Sequence, residues 1–180
     1  MAHGDGPLLR GTSSPDALTV RYRVVASPLG NLVLSGEDGF LTGLAFSDSA
    51  KAAGVDPAWQ QDDAAFADIA AQLGAYFARE LTSFDVTLAA RGTGFQQRVW
   101  NALKEIPYGT TTTYGHLAVE LGDPKSMRAV GLANGRNPIA IIIPCHRVIG
   151  ADGSLVGYGG GMQRKQWLLA HESGALRLPW

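Results

Sequence analysis

Pro144-Cys145-His146-Arg147 is the stretch whose residue types can do covalent chemistry. Cys145 is the only cysteine in 180 residues. A thiol attacks as its thiolate, and a histidine beside it can take the proton. The alternative is inert packing, since a free cysteine is commonly a small buried hydrophobe. Downstream, Gly157-Tyr158-Gly159-Gly160-Gly161 is a segment whose backbone can come close to a bound group. A nucleophile next to a base, with such a segment following, points to attack on a docked electrophile.

The elements around this stretch must place it. The run Ile139-Ala140-Ile141-Ile142-Ile143 lies between Pro138 and Pro144 and is β-branched. It predicts a short strand buried on both faces, ending at Cys145. After Val148-Ile149, the sequence Gly150-Ala151-Asp152-Gly153-Ser154 predicts a hairpin-like turn of the kind that forms a wing. A final helix is expected over 164–173, with Trp167, Leu168 and Leu169 packing and Glu172 near its end.

Upstream, residues 93–134 predict three helices. The first spans 95–105, with Phe95, Val99, Trp100 and Leu103 as its apolar face, and Pro107-Tyr108-Gly109 stops it. The second spans 114–121. The third runs from a Ser126 cap to Asn134 and is ended by Gly135 and Pro138. The last two, joined through Gly122-Asp123-Pro124, are a helix-turn-helix candidate. Their second helix, Met127-Arg128-Ala129-Val130-Gly131-Leu132-Ala133-Asn134, is dominated by small residues, and Arg128 is its one long cation. A base-reading helix carries several long polar side chains. This one suits either close, sequence-indifferent approach to a duplex or tight packing within the protein.

The first half reads differently. Strands are expected over 20–25, 32–34 and 40–46, joined by tight turns into an antiparallel meander. Residues 47–61 read as a loop and 84–88 as a further strand. A helix is expected over 62–79, where Phe66, Ile69, Leu73, Tyr76 and Phe77 form an apolar stripe. No reactive cluster appears before residue 91, so this part is assigned a supporting role. Residues 1–18 and 174–180 read as tails. The division is therefore a supporting α/β domain over 19–90 and a second domain over 91–173.

Residues 1–90 hold 5 Lys+Arg and 11 Asp+Glu, whereas residues 91–180 hold 10 and 5. This asymmetry suits a polyanion partner for the second half only. Mean hydropathy is +0.01 and no apolar run reaches bilayer length, so no membrane association is expected. With no secretion signal and no partner for a disulfide, a cytoplasmic protein is expected.

Several separated motifs, in order, resemble the O6-alkylguanine-DNA alkyltransferases. They are Phe95-Gln96-Gln97-Arg98-Val99-Trp100, Ile106-Pro107-Tyr108-Gly109, Thr113-Tyr114-Gly115, Arg128-Ala129-Val130-Gly131, Asn137-Pro138, Pro144-Cys145-His146-Arg147-Val148-Ile149, Tyr158-Gly159-Gly160-Gly161 and Glu172. The likeness is strong over 93–173, and residues 20–88 fit the family's less distinctive first domain. It implies an α/β N-terminal domain with a ribonuclease H-like antiparallel sheet, followed by a mainly helical domain with a winged helix-turn-helix. It implies a reactive network of Cys145, His146, Glu172 and Asn137, with Tyr114 turning the nucleotide out and donating toward guanine. Arg128 would fill the gap left by the extruded nucleotide, with Ala129, Gly131, Ser126 and Thr113 along the DNA. Tyr158, Gly159, Gly160 and Val148 would border the guanine pocket. Some members hold zinc in the first domain through cysteine and histidine. Residues 1–90 here have no cysteine and one histidine, His3, so no metal is expected.

The implied activity is direct reversal of DNA damage without a cofactor. An O6-alkylguanine is swung out of double-stranded DNA, approached from the minor groove with little sequence preference, and its alkyl group passes irreversibly to Cys145. The protein would act as a monomer, with cooperative assembly on DNA as the alternative. Two rivals stand beside this: a sensor that binds the lesion without repairing it, and a Cys-His hydrolase. The presence of Cys145 weighs against the first, and the small-residue helix carrying Arg128 is unexplained by the second.

Overall fold

The computed structural model describes residues 19–49 and 55–175. The tails expected over 1–18 and 174–180 lie outside these, apart from Gly174 and Ala175. Three strands, β1 (Arg21–Val25), β2 (Leu32–Glu37) and β3 (Phe40–Phe46), form the expected antiparallel meander. The β2–β3 hairpin closes through Asp38 and Gly39, both at positive φ, the Asp-Gly pairing that matches strand twist. The register shifts after Ser35, so that Leu34 faces Leu44 while Gly36 faces Leu41. This one-residue bulge brings Leu41 and Leu44, three apart in sequence, to the same buried face with Leu32 and Leu34.

Three expectations in this half are corrected. The loop expected over 47–61 contains a short strand, β4 (Gln60–Gln61), which pairs parallel with β1 and completes the sheet order β3-β2-β1-β4. The strand expected over 84–88 reduces to a bridge between Leu41 and Leu88. The helix expected over 62–79 is shorter: α1 spans Ala67–Phe77. Asp62 Oδ1 accepts from the amides of Ala64 and Ala65, which makes a turn rather than a first helical turn. Phe66 and Arg79, both left-handed, bound the helix.

In the second half, α2 (Gly94–Lys104) starts on a capping box in which Thr93 accepts from the Gln96 amide and the Gln96 side chain accepts from the Thr93 amide. The strand β5 (Thr112–Thr113) leads into α3 (Tyr114–Glu120), capped by Thr113. Next come a 3-10 turn (Pro124–Ser126) and α4 (Met127–Gly135), then β6 (Val148–Ile149) parallel to β5, and α5 (Met162–Glu172). The Trp100 indole donates to the Ala133 carbonyl at 2.9 Å and ties α2 to α4. One core runs through both halves, from Leu34 and Leu73 to Leu103 and Leu168. Among the described residues no helix is long and apolar enough to cross a membrane.

Two more corrections bear on the site. Ser126 does not cap α4 with its side chain: its hydroxyl donates to the Asp123 carbonyl at 2.7 Å. The run Ile139–Ile143 is buried as expected but is not a strand. It folds as a tight turn, with Ile143 N donating to Ile139 O at 3.1 Å and Ile141 at φ 69°. A β-branched residue rarely takes this conformation, and packing must hold it there. Asn137 replaces the missing ladder: its Nδ2 donates to the carbonyls of Ile139 and Ile143, and its Oδ1 accepts from the Ile139 amide. Leu44 of β3 exchanges backbone bonds with Pro138 and Ala140, which stitches this turn to the first sheet.

Candidate active site

The Ile turn delivers the chain into a single 3-10 turn, Cys145–Arg147, in which all three residues are buried. Burying the Arg147 guanidinium requires a carboxylate. Glu172, the last residue of α5, supplies it. His146 Nε2 lies 2.8 Å from Glu172 Oε1. Arg147 grips the same group with Nε on Oε2 at 2.8 Å and Nη2 on Oε1 at 2.9 Å. The remaining Arg147 nitrogen donates to the Ile106 carbonyl at 2.6 Å. Tyr76 donates its hydroxyl to Oε1 at 2.8 Å.

Burial pushes the Glu172 carboxyl upward, but the hydrogen bonds and charges of His146 and Arg147 outweigh it and hold the group well below the usual range. It is a carboxylate, so it only accepts, and the His146 proton must sit on Nε2. His146 Nδ1 is then a lone pair, and it has no partner among the described residues. Burial drives the His146 pKa below its ordinary value despite the pull of Glu172. A neutral imidazole with Nδ1 open is a base ready to accept a proton.

Three buried polar atoms without a described partner gather here: His146 Nδ1, Tyr158 Oη and Asn134 Oδ1. Asn134 Nδ2 donates to the Cys145 carbonyl, and the Tyr158 ring meets His146 edge-on. Unsatisfied buried polar atoms are few in native structures, and each is explained by strain, a chemical role, or a water or ion that completes it. Burial and the nearby Cys145 charge both raise the pKa of Tyr158 and of Tyr114, so each keeps its phenolic proton. The backbone of this wall is close-packed: a Cβ on Gly160 would lie 2.7 Å from both Phe46 and Tyr158.

Two family profiles match the chain. One is described as 6-O-methylguanine DNA methyltransferase, ribonuclease-like domain, over residues 20–90. The other is described as 6-O-methylguanine DNA methyltransferase, DNA binding domain, over residues 94–174. The chain belongs to this family. As a member it is an enzyme of the methylated-DNA–protein-cysteine methyltransferase class, with the fold the motifs implied. The methylated-DNA–protein-cysteine methyltransferase of Mycolicibacterium paratuberculosis is 56% identical over 156 residues, covering 85% of this chain and 92% of that protein. A crystal structure of the Mycobacterium tuberculosis O6-methylguanine methyltransferase matches with a TM-score of 0.80 and 52% identity, over 89% of this chain and 97% of that one. A crystal structure of Mycobacterium tuberculosis OGT in complex with DNA matches with a TM-score of 0.81 and 54% identity, over 86% and 93% of the two chains.

The remaining residues singled out in this methyltransferase fall into two groups. Arg128 and Ala129 are exposed on α4. Gly131 faces the Tyr114 ring, and a Cβ there would sit 3.8 Å from it. By contrast, the Thr113 and Ser126 hydroxyls are engaged locally, with the His116 amide and the Asp123 carbonyl. Tyr114 donates to the Val156 carbonyl at 3.2 Å. Val148 is fully buried, with its carbonyl taken by Lys165, and Gly159 is exposed.

Sequence reasoning gave no role to Lys165, Arg147 or Tyr76. Lys165 is fully buried, and its ammonium donates to the carbonyls of Val148 and Val156 at 2.6 and 2.7 Å. Burial lowers its pKa, and Cys145 acts to raise it. A signal was present: Lys165, Leu168 and Glu172 recur at helical spacing, which puts two ionisable groups on one apolar stripe. Such groups are buried only when they are paired. Among the described residues no group of three or more His, Cys, Asp or Glu is arranged to hold a metal.

Proposed function

We propose that the chain repairs O6-alkylguanine in double-stranded DNA by transferring the alkyl group to Cys145 once per molecule. The supporting observation is the orientation of His146, anchored to Glu172 through Nε2–H with Nδ1 left as a lone pair. In this reading the Cys145 proton passes to Nδ1, directly or through a water. The thiolate attacks the alkyl carbon, an S–C bond forms, the C–O6 bond breaks, and its electron pair stays with guanine. The guanine then takes up one proton, so the sum is exchange of the thiol hydrogen for the alkyl group. A free thiol of pKa about 8.5 is only slightly ionised at neutral pH, and the imidazole removes that limit. The thioether has no acyl carbon for water to attack, so the protein does not regenerate.

The lesion carbon is reached only when the base leaves the stack, at a cost of about a few kcal/mol. Arg128 on exposed α4 offsets that loss from the minor groove, with Ala129 and Gly131 permitting close approach. Tyr114 exchanges the Val156 carbonyl for the everted base and donates to it, while Tyr158 and Gly160 bound the pocket. Asn137 holds the backbone that carries Cys145. The supporting domain covers residues 19–90 and the DNA-binding and alkyl-transfer domain residues 91–173.

The test is peptide mass after incubation with excess O6-methylguanine duplex. One added methyl on the Cys145 peptide and one equivalent of repaired DNA are expected. Continued turnover overturns single use, and tight binding without modification would make the protein a lesion sensor.

A further inference from the structure

The ribonuclease-like half reaches the reactive network through the Tyr76 hydroxyl, which donates to Glu172 Oε1. Tyr76 lies near the end of α1, 96 residues before Glu172, and is fully buried. Its ring is packed by Phe77, Phe84, Tyr108 and His171. It meets α5 twice, for its carbonyl also accepts from His171 Nε2 at 2.9 Å. We propose that Tyr76 is a positioning residue for alkyl transfer, fixing the Glu172 carboxylate and setting how strongly it draws on His146. This rests on reading Cys145, His146 and Glu172 as the reactive network.

The reason lies in which oxygen is used. Glu172 Oε1 accepts from Tyr76, from His146 and from Arg147 Nη2, whereas Oε2 accepts from Arg147 Nε and, at 3.4 Å, from the Gly109 amide. A carboxylate offers about four acceptor sites, so Oε1 is fully committed. Each donor on it withdraws charge from the others. The Tyr76 proton therefore weakens the pull of Oε1 on the imidazole N–H and keeps His146 neutral. Burial and the adjacent carboxylate raise the Tyr76 pKa, so it is a permanent donor. The other groups facing this carboxylate are accounted for. The Arg147 guanidinium lies over the Tyr108 ring, burial lowers the pKa of His171 and of Lys165, and the Lys165 amine is turned to the Val148 and Val156 carbonyls. Arg79, beyond α1, acts on His171 and Tyr108.

Tyr76→Phe keeps the ring and removes only the hydroxyl that donates to Glu172 Oε1. With Oε1 freed, His146 becomes more basic, and the acid limb of the transfer rate moves up by about half a unit to one unit. The second-order rate constant is measured from pH 5 to 8.5, with O6-methylguanine duplex and with free O6-benzylguanine. The full chain is used. On the acid limb a loss of about three- to tenfold is expected, equal on both substrates and recovered on the plateau at higher pH. Leu73→Val, one turn earlier on the same helix, must leave the profile in place at comparable loss of thermal stability. An unmoved profile in Tyr76→Phe overturns the proposal and makes Tyr76 a packing residue only. If Tyr76→Phe fails to fold, fluorotyrosine at position 76 alone, a stronger donor, must move the acid limb downward, and no movement overturns the proposal. Absence of any methyl on Cys145 in the unsubstituted chain would instead overturn the network itself.

Discussion

His146 and Arg147 follow one another in the chain, yet they divide one carboxylate between two different tasks. Arg147 neutralises Glu172 with a two-pronged grip, and His146 borrows the same group only to fix its tautomer. Removing one partner from a buried ion pair strands the other. Glu172→Gln should therefore cost roughly 3–5 kcal/mol in urea unfolding. A loss under about 1 kcal/mol would mean that Arg147 finds another partner. The imidazole makes its own prediction. Burial holds its pKa below the ordinary 6.5, so transfer should stay constant on acidification through pH 6.5 and fail only below it. An acid limb centred at or above 6.5 would contradict a buried, neutral His146.

At the scale of elements, α4 and the Ile turn do separate work. The helix presents Arg128 outward while its opposite face, with Val130, Ala133 and Asn134, is buried. Arg128→Ala should slow repair of duplex roughly tenfold to a hundredfold, from the few kcal/mol of unstacking it offsets, and barely affect free O6-benzylguanine. Equal loss on both substrates would remove its role in base extrusion. Burial of the Ile run was legible because five apolar residues stood together. Its shape was not. Uniform burial does not distinguish a strand from a turn, and the deciding bonds come from the side chain of Asn137.

At the scale of the molecule, both histidines buried among the described residues are held below 6.5, His146 and, within its aromatic cage, His171. Below pH 6.5 the unfolded chain therefore binds protons that the folded chain refuses. Their stabilising contribution is complete above 6.5 and is lost as pH falls toward the folded values, by at most about 2.7 kcal/mol per pH unit. Glu172 behaves likewise lower down: its contribution is present above 4.5 and fades as acid protonates it. Thermal midpoints should drop on acidification from pH 6.5, before carboxylates titrate. A midpoint constant to pH 5 would show both histidines solvated.

The chain alone determined the family, the three-strand meander and the succession of helices, and it singled out the Cys145-His146 pair, since these rest on residue types at short spacing. It also singled out Cys145, His146, Glu172 and Arg128 as candidates without any coordinate, and the fold brings His146 onto Glu172 and leaves Arg128 exposed. What it left open was every long-range partnership: Tyr76 on Glu172, Leu44 on Pro138 and Ala140, and Lys165 on two carbonyls. Those depend on how two halves with separate patterns pack, and a hydrogen bond spanning 96 residues leaves no periodicity to read. Only the folded core decides which hydroxyl meets which carboxylate.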